Sequence, residues 1–311
     1  MRILIMGGTR FIGVYLTQVL HQQGHEVVLF NRGQKQPPLP DIQQIHGDRR
    51  NPQQLREQLG SQEFDAIFDN NGRELSDTQT LVELFQGRVK HFIYVSSAGV
   101  YLKSDQMPHR EEDAIDPQSR HRGKWETEAY LAQSGIPWTA VRPTYIYGPK
   151  NYNPLESWFF DRLSADRPLP IPGNGQYLTQ FGHVQDLAQA MAAILDNPQT
   201  IGQVYNISGD RYVSLDGLAR ACALAMDKDP HGIKLVHYDP REFDFGKRKA
   251  FPLRQQHFFA DIQKAKAHLH WQPQFELVSG LRDSYVNDYL KNQPQAEKPD
   301  FSTDDEILAF F

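Results

Sequence analysis

A glycine-bearing stretch near the start of the chain has the spacing of a phosphate-binding turn. The apolar run over residues 2–6 ends at Gly7, and a helical pattern begins at Phe11. A strand, a glycine turn and a helix in this order direct backbone N–H groups and a helix N-terminus at an anion. The turn reads Gly-x-x-Arg-x-x-Gly and ends at Gly13, with Arg10 in place of a middle glycine. It predicts a dinucleotide site in which Arg10 either crowds the pyrophosphate or pairs with a phosphate. The predicted cofactor-binding residues of the turn are Gly7, Thr9, Arg10, Phe11, Ile12 and Gly13.

Three further positions bear on which dinucleotide such a turn accepts. An acidic residue at the end of the second strand binds the adenosine ribose of NAD, whereas this chain has Asn31 followed by Arg32. Because an arginine there suits a 2′-phosphate, NADP is favoured over NAD. Asp48 is placed to contact an adenine amino group. The alternative is that the fold keeps its shape and has lost its cofactor.

Two basic segments have a composition that suits RNA: the first is residues 120–124, with Arg120, His121, Arg122 and Lys124, and the second is residues 241–254. Residues 241–254 hold five cations against two carboxylates, interleaved with Phe243, Phe245 and Phe251, and residues 257–259 read His-Phe-Phe. Cations for phosphates and aromatic faces for unstacked bases are what single-stranded or loop RNA requires. The alternatives are a solvated basic loop with its aromatic side chains packed inward, and a contact between subunits. The predicted RNA-binding residues are Arg120, His121, Arg122, Arg241, Lys247, Arg248, Lys249 and Arg254.

Length and composition exclude several classes of protein. A chain of 311 residues buries a large core, as one domain or as two unequal lobes. Its single cysteine, Cys222, excludes an intrachain disulfide, fits a reducing compartment and lies in a buried helical pattern. No run of about 18 apolar residues predicts a membrane span, and no targeting segment is recognised. With a net charge of −5, RNA binding depends on local basic patches.

The elements that position these residues alternate between strand and helix through the first 150 residues. This alternation predicts an α/β fold with a doubly wound parallel sheet, whose ligands bind at the carboxyl ends of the strands. The predicted strands are 2–7, 26–30, 42–48, 64–71, 91–96 and 138–142, and the predicted helices 11–20, 52–59, 77–85 and 123–133.

Beyond Gly148, prolines interrupt an irregular segment and the pattern changes. We expect residues 1–150 to form a dinucleotide-binding-type domain, joined by a helix and a strand within about 180–208. We expect residues 151–179 and 209–292 to form a smaller C-terminal lobe for a substrate or partner, with helices over 215–226 and 276–290. Residues 293–311 are expected to form an acidic, mobile tail.

Five motifs of the chain carry a family resemblance. They are residues 7–13, 47–48, 96–101, 142–149 and 182–188. Together they resemble the extended short-chain dehydrogenases/reductases, the Rossmann-fold group that includes NAD-dependent nucleotide-sugar epimerases and dehydratases. The resemblance implies a serine that orients the substrate hydroxyl, and a general acid/base tyrosine four residues before a lysine. That lysine binds the nicotinamide ribose and lowers the tyrosine pKa.

The catalytic positions depart from this family at one point. Ser97 matches the serine and Lys124 the lysine, but Arg120 occupies the tyrosine position. A guanidinium stays protonated near neutral pH and cannot shuttle a proton, and losing a general acid/base lowers a rate by about 10²–10⁴-fold. Tyr101, Tyr145 and His121 are the candidate substitutes. The alternative for Ser97 is a structural role as a turn residue at the end of a strand.

Longer motifs sharpen the resemblance. They cover residues 7–13, 96–105, 119–124, 151–160, 243–260 and 301–305. They resemble the b-type chloroplast stem-loop RNA-binding proteins and their cyanobacterial relatives, a subgroup in which Arg10 and Arg120 both fit.

This closer resemblance implies binding of stem-loop, ribosomal or messenger RNA, and endoribonuclease activity assisted by a divalent metal such as Mg²⁺. It also implies association with ribosomal or RNA polymerase complexes, in the cytoplasm or, for a mature chain, in the chloroplast stroma. A homo-oligomer is also compatible with the resemblance. The alternatives are an NADP-dependent epimerase, dehydratase or reductase acting on a nucleotide sugar, and a non-catalytic assembly subunit.

Overall fold

Short apolar runs form the strands of the protein, and amphipathic stretches form its helices. The structure, a computed structural model, describes residues 1–293 and 298–311. In chain order the strands are β1 (Arg2–Met6), β2 (Glu26–Asn31), β3 (Gln43–His46), β4 (Ala66–Asp69), β5 (His91–Val95), β6 (Trp138–Pro143), β7 (Tyr145–Tyr147), β8 (Leu169–Pro172), β9 (Leu178–His183), β10 (Gln203–Ile207), β11 (Tyr212–Ser214) and β12 (Leu235–Tyr238). The α-helices are α1 (Ile12–Gln22), α2 (Pro52–Leu59), α3 (Leu75–Phe85), α4 (Arg122–Ser134), α5 (Ser157–Ser164), α6 (Val184–Ala192), α7 (Leu215–Ala225), α8 (Gln263–Leu269), α9 (Leu277–Ser284), α10 (Leu290–Asn292) and α11 (Ser302–Leu308).

The described chain divides into two units. Unit 1 comprises residues 1–144, 184–208 and 260–273, and unit 2 comprises residues 145–183, 209–259 and 274–311.

Unit 1 contains a sheet of seven strands in the order β10-β6-β5-β4-β1-β2-β3, with every neighbouring pair parallel. The central strands are apolar along nearly their whole length because both faces of the sheet are covered. The strand order reverses between β1 and β4, so the carboxyl ends of these two strands border the crevice in which such sheets bind ligands. The predicted doubly wound parallel sheet is therefore confirmed.

Unit 2 contains a small sheet in the order β11-β9-β7 and a parallel pair of β8 with β12. Its apolar core includes Phe159 and Phe160 from α5, and Leu218 and Cys222 from α7. The cysteine is buried in a helix, as its sequence setting predicts.

The units differ from the expected domain boundaries at two places. Residues 145–147 belong to unit 2 because β7 pairs with β9, so the first stretch of unit 1 ends at Thr144. Residues 260–273, expected in the smaller lobe, belong to unit 1, where His109 bridges Ala260 and α8 packs against β10.

The expectation of a mobile tail over residues 293–311 is wrong for its second half. Residues 302–308 form α11, in which Ile307 and Asp304 are completely buried. Residues 294–297, which belong to the same expectation, lie outside the described residues. In the part of the chain that the structure describes, no helix is long and apolar enough to cross a membrane.

Candidate functional site

The glycine turn between β1 and α1 is tight enough to require glycine at two positions. Gly8 has a φ of +87°, and a Cβ added there would lie 2.4 Å from a methyl carbon of Leu29. A Cβ on Gly13 would lie 2.7 Å from the backbone of Gly8, so only glycine lets α1 start this close to the turn. Arg10 is exposed, and its carbonyl oxygen accepts the Gly13 N–H at 3.0 Å. The backbone of the predicted phosphate turn is thus preserved, and its arginine lies on the solvent side.

The side chains at the end of β2 stabilise the neighbouring loops. The Asn31 amide donates to the Gly7 carbonyl oxygen at 3.4 Å, and its Oδ1 accepts from the Gly33 N–H at 2.8 Å. Arg32 beside it is exposed. The Asp48 carboxylate accepts from the backbone N–H of Arg50 at 3.0 Å, which shapes the loop between β3 and α2.

A buried ion pair beside this crevice was not predicted from the sequence. The Arg49 guanidinium donates to both carboxylate oxygens of the fully buried Asp69, at 2.7 and 2.8 Å. Burial opposes ionisation of Asp69, but the charge and hydrogen bonds of Arg49 together with the hydrogen bond from Thr78 outweigh it and lower the pKa of that carboxyl. Arg49 also donates to Asn71, which follows β4. The sequence feature that could have indicated this pair is the run of polar residues 69–71, which ends an apolar strand.

Asn70 supplies an unsatisfied polar atom next to the glycine turn. Its side-chain nitrogen lies 3.0 Å from the position of a Cβ on Gly13, and its buried Oδ1 accepts no hydrogen bond from the residues that the structure describes. A buried acceptor without a donor is costly in a finished protein interior, so a bound group with a donor would stabilise it. This unsatisfied acceptor fits a polar ligand with a donor at the turn.

The Lys124 ammonium lies at the carboxyl edge of the same sheet. Its Nζ donates to the carbonyl oxygens of Val95 at 2.6 Å and Gly72 at 3.1 Å. Burial lowers the pKa of Lys124 to about 8, with Asp69 opposing and the Arg49 and Arg73 charges adding to the decrease. An ammonium has three donors, so two of them tie β5 to the loop after β4 and one remains.

The other predicted catalytic positions make local contacts. The Ser97 Oγ accepts from the Gly99 N–H at 3.0 Å and caps a short 3₁₀ turn, which agrees with its interpretation as a turn residue. Arg120 is exposed and donates through Nε to His121 Nε2 at 3.2 Å. Tyr101 is buried, donates to Asn206 Oδ1 at 2.7 Å, and has a pKa that burial raises far above its usual range.

Tyr145, another candidate substitute, belongs to unit 2, where its hydroxyl accepts from the backbone N–H of Arg254. His121 is half-buried at the N-terminus of α4, next to Arg120, which is predicted to occupy the proton-transfer position.

The aromatic residues of the second basic segment correct one expectation. Phe251, Phe258 and Phe259 are buried, Phe251 against Trp158 and Phe159, so these rings are not available to stack on RNA bases. They follow the alternative in which the aromatic side chains pack inward, because their apolar area is better buried than exposed. Phe243 and Phe245 are half-buried and stack on one another with ring centres 5.6 Å apart.

The cations of this segment lie mostly at the surface of unit 2. Arg241, Lys247, Arg248 and Lys249 are exposed, and the half-buried Arg254 places its guanidinium 4.3 Å from the ring centre of Phe258. Several are already engaged: Arg241 pairs with Asp239, Arg248 pairs with Glu306, and the Lys249 ammonium donates to the Pro252 carbonyl oxygen at 2.8 Å.

The first basic segment belongs to unit 1 and the second to unit 2. In the first, Arg122 pairs with Glu126 one helical turn along α4, at 3.0 Å. Across residues 1–293 and 298–311, no three His, Cys, Asp or Glu side chains are grouped so that they could hold a metal ion.

Comparison with known proteins supports the fold and identifies the family to which the chain belongs. Residues 3–208 match the NAD dependent epimerase/dehydratase family. The chain is 49% identical to the chloroplast stem-loop binding protein of 41 kDa b of Arabidopsis thaliana, over 99% of this chain and 84% of that protein.

Two solved structures are similar in fold. UDP-glucose 4-epimerase of Thermotoga maritima, solved with UDP-glucose, has a TM-score of 0.78 at 20% identity, covering 94% of this chain and 100% of that one. The dTDP-glucose 4,6-dehydratase of Bacillus anthracis, solved with NAD, has a TM-score of 0.76 at 20% identity, covering 95% and 98%. With the glycine turn, the sheet order and the full-length similarity, the chain belongs to the NAD-dependent epimerase/dehydratase family and, within it, to the group of the b-type chloroplast stem-loop binding protein.

Proposed function

We propose that this protein binds RNA on a short-chain dehydrogenase scaffold that has lost its proton-transfer residue. The observation that carries the proposal is the cluster of exposed cations over residues 241–249 of unit 2, in a chain whose net charge is −5. Four cations against the two carboxylates of Glu242 and Asp244 give these nine residues a net positive charge, which attracts phosphates although the whole protein is acidic. The name of the Arabidopsis relative, a stem-loop binding protein, supports the same function.

The geometry favours contact with the RNA backbone over stacking on bases. Three aromatic rings of the segment are buried, whereas its lysines and arginines are mostly exposed. Cations that meet phosphates bind with little dependence on sequence, so selectivity for a stem-loop comes from its shape. The exposed cluster of Arg120 and Arg122 in unit 1 is a second candidate phosphate contact.

For metal-assisted cleavage of RNA, we propose a metal that is held in part by the substrate. In the described residues no preformed group of three metal ligands is present. Mg²⁺ commonly binds through one or two carboxylates together with substrate phosphates and water. We therefore propose that any Mg²⁺ joins only with the RNA, and that RNA in ribosomal or RNA polymerase complexes is the natural target.

A gel-shift titration with a radiolabelled stem-loop RNA, at about 50 and about 200 mM salt, tests the function. We expect binding at low salt and a loss of roughly 10²-fold or more in affinity at high salt, as several phosphate contacts require. If the protein does not bind the RNA at the lower salt concentration, the proposal is wrong. Sedimentation with ribosomal particles despite that failure would indicate the assembly-subunit alternative.

We propose retained dinucleotide binding as a second function, because the turn requires glycine at residues 8 and 13 and Asn70 Oδ1 lacks a donor. A bound NAD(P) supplies a hydride acceptor. The backbone of the turn would hold its pyrophosphate, the third N–H of Lys124 would meet a ribose hydroxyl, and the exposed Arg32 favours NADP. Arg120 leaves the reaction without a proton carrier.

A thermal-shift measurement with NADP and with NAD tests this second function. At a concentration about 100-fold above Kd, a ligand stabilises a protein by about 2.7 kcal/mol, which corresponds to roughly 5 °C or more here. We expect the larger shift with NADP, none in Gly13→Val, and an unchanged shift in Gly232→Ala of unit 2. Equal absence of a shift in all three proteins contradicts retained binding, whereas NADP reduction with a nucleotide sugar would support the enzyme alternative.

A further inference from the structure

The acidic helix α11 lies against three arginines that come from two separate stretches of unit 2. Asp304, Asp305 and Glu306 are consecutive, and they pair with Arg162, Arg167 and Arg248 respectively. Each carboxylate is thus matched with one guanidinium. Arg248 is one of the residues proposed above to meet RNA.

One of these pairs anchors the helix. Asp304 accepts two hydrogen bonds of 2.8 Å from Arg162, and both side chains are buried. The Arg162 guanidinium also stacks 3.9 Å from the ring centre of Trp158. The buried Ile307 adds an apolar contact with Tyr238 and Ala250. The position of α11 therefore does not depend on its other two carboxylates.

The two remaining pairs lie at the surface. Glu306 is bidentate with Arg248, at 2.5 and 3.0 Å, and both side chains are more than 40% exposed. Asp305 pairs with Arg167 and its carboxylate is 64% exposed. The Arg167 side chain is 27% exposed, and its buried Nε has no acceptor among the described residues, so Asp305 does not satisfy every donor of this guanidinium. Exposed ion pairs of this kind are weak and readily exchanged.

We infer that Asp305 and Glu306 compete with RNA phosphates for Arg167 and Arg248, so that the chain's own C-terminal helix limits its affinity for RNA. The inference rests on the proposed RNA binding. A carboxylate and a phosphate offer a guanidinium the same bidentate acceptor geometry, so only one of them occupies it at a time. The negative field of the two carboxylates also repels a backbone that approaches Lys247 and Lys249. RNA reaches both guanidinium groups when its phosphates replace the two outer carboxylates, while the Asp304 anchor keeps α11 in place.

The test is the double variant Asp305→Asn with Glu306→Gln, which removes both charges and leaves the anchor intact. The matched control is Glu57→Gln with Glu63→Gln, which makes the same change in net charge at exposed positions of unit 1. Stem-loop affinity is measured by gel shift over a series of salt concentrations, and circular dichroism and the melting temperature verify the fold. We expect the α11 variant to bind about three- to tenfold more tightly at low salt. The slope of log affinity against log salt should steepen by roughly 0.7–0.9 for each additional phosphate that the variant neutralises.

The outcomes separate this inference from the proposed function. Wild-type binding that neither double variant changes, or that both increase equally, overturns the competition and leaves RNA binding standing. RNA binding by the α11 variant alone supports the competition in its strongest form. Absence of binding by all three proteins overturns both the competition and the proposed function.

Discussion

Replacing Asp304 with alanine is expected to lower the free energy of unfolding of unit 2 by about 3–5 kcal/mol. The substitution leaves Arg162 buried with no carboxylate for its two hydrogen bonds. A buried charge without a partner destabilises the folded state by far more than the intact ion pair stabilised it. Urea unfolding followed by tryptophan fluorescence measures the loss, because Trp158 stacks directly on the Arg162 guanidinium.

The control for this prediction lies two residues away on the same helix. Glu306→Ala breaks an exposed pair with Arg248 and is expected to cost less than about 1 kcal/mol. A combined Arg162→Met and Asp304→Leu variant should recover much of the stability, since apolar replacements of both partners leave no buried charge. If Asp304→Ala costs no more than Glu306→Ala, the buried pair is not the anchor of α11.

The double charge reversal Lys247→Glu with Lys249→Glu is expected to weaken stem-loop binding by about 10- to 100-fold at low salt. Two cations that meet phosphates become two carboxylates that repel them, and the salt dependence becomes shallower. Because phosphates carry no sequence information, the loss should be similar for stem-loops of unrelated sequence. Both lysines are exposed, so the variant should melt close to the wild-type temperature. Gel shift with two different stem-loops provides the measurement.

Lys35→Glu with Lys103→Glu is the matched control, since it changes the net charge equally at exposed positions of unit 1. A comparable loss in both double variants would indicate that bulk charge, and not this segment, governs binding. If the Lys247 and Lys249 variant binds RNA with unchanged affinity, the RNA site is expected at the cluster of Arg120, His121 and Arg122 instead.

The sequence predicted unit 1 well because its signals are local. Each central strand is a short apolar run ended by glycine or polar residues, and the alternation with helices allows few topologies. The glycine turn was recognised for the same reason, since all of its determinants lie within residues 2–13. The predicted parallel sheet and its crevice at the strand ends followed from these patterns alone.

The missed features depend on partners that are distant in sequence. Arg162 and Asp304 are 142 positions apart, and the sequence around each residue does not indicate that they pair. The tail was predicted as mobile because its charges suggested solvent, although three of them meet arginines of unit 2. The aromatic rings near residue 251 were assigned to RNA because composition does not reveal which face of an irregular segment is buried. Such pairings become visible only when the chain has folded.

Lys124 has a consequence for how functions are inherited within this family. Its ammonium joins the last carbonyl of β5 to the loop after β4, so the lysine strengthens the sheet whether or not a nicotinamide is present. A contribution to stability is therefore a sufficient reason for a chain to keep this lysine, whatever its chemistry. The presence of this lysine in a distant homologue is poor evidence for an oxidoreductase. The residue four positions earlier bears more directly on that chemistry, because the arginine found here cannot shuttle a proton near neutral pH.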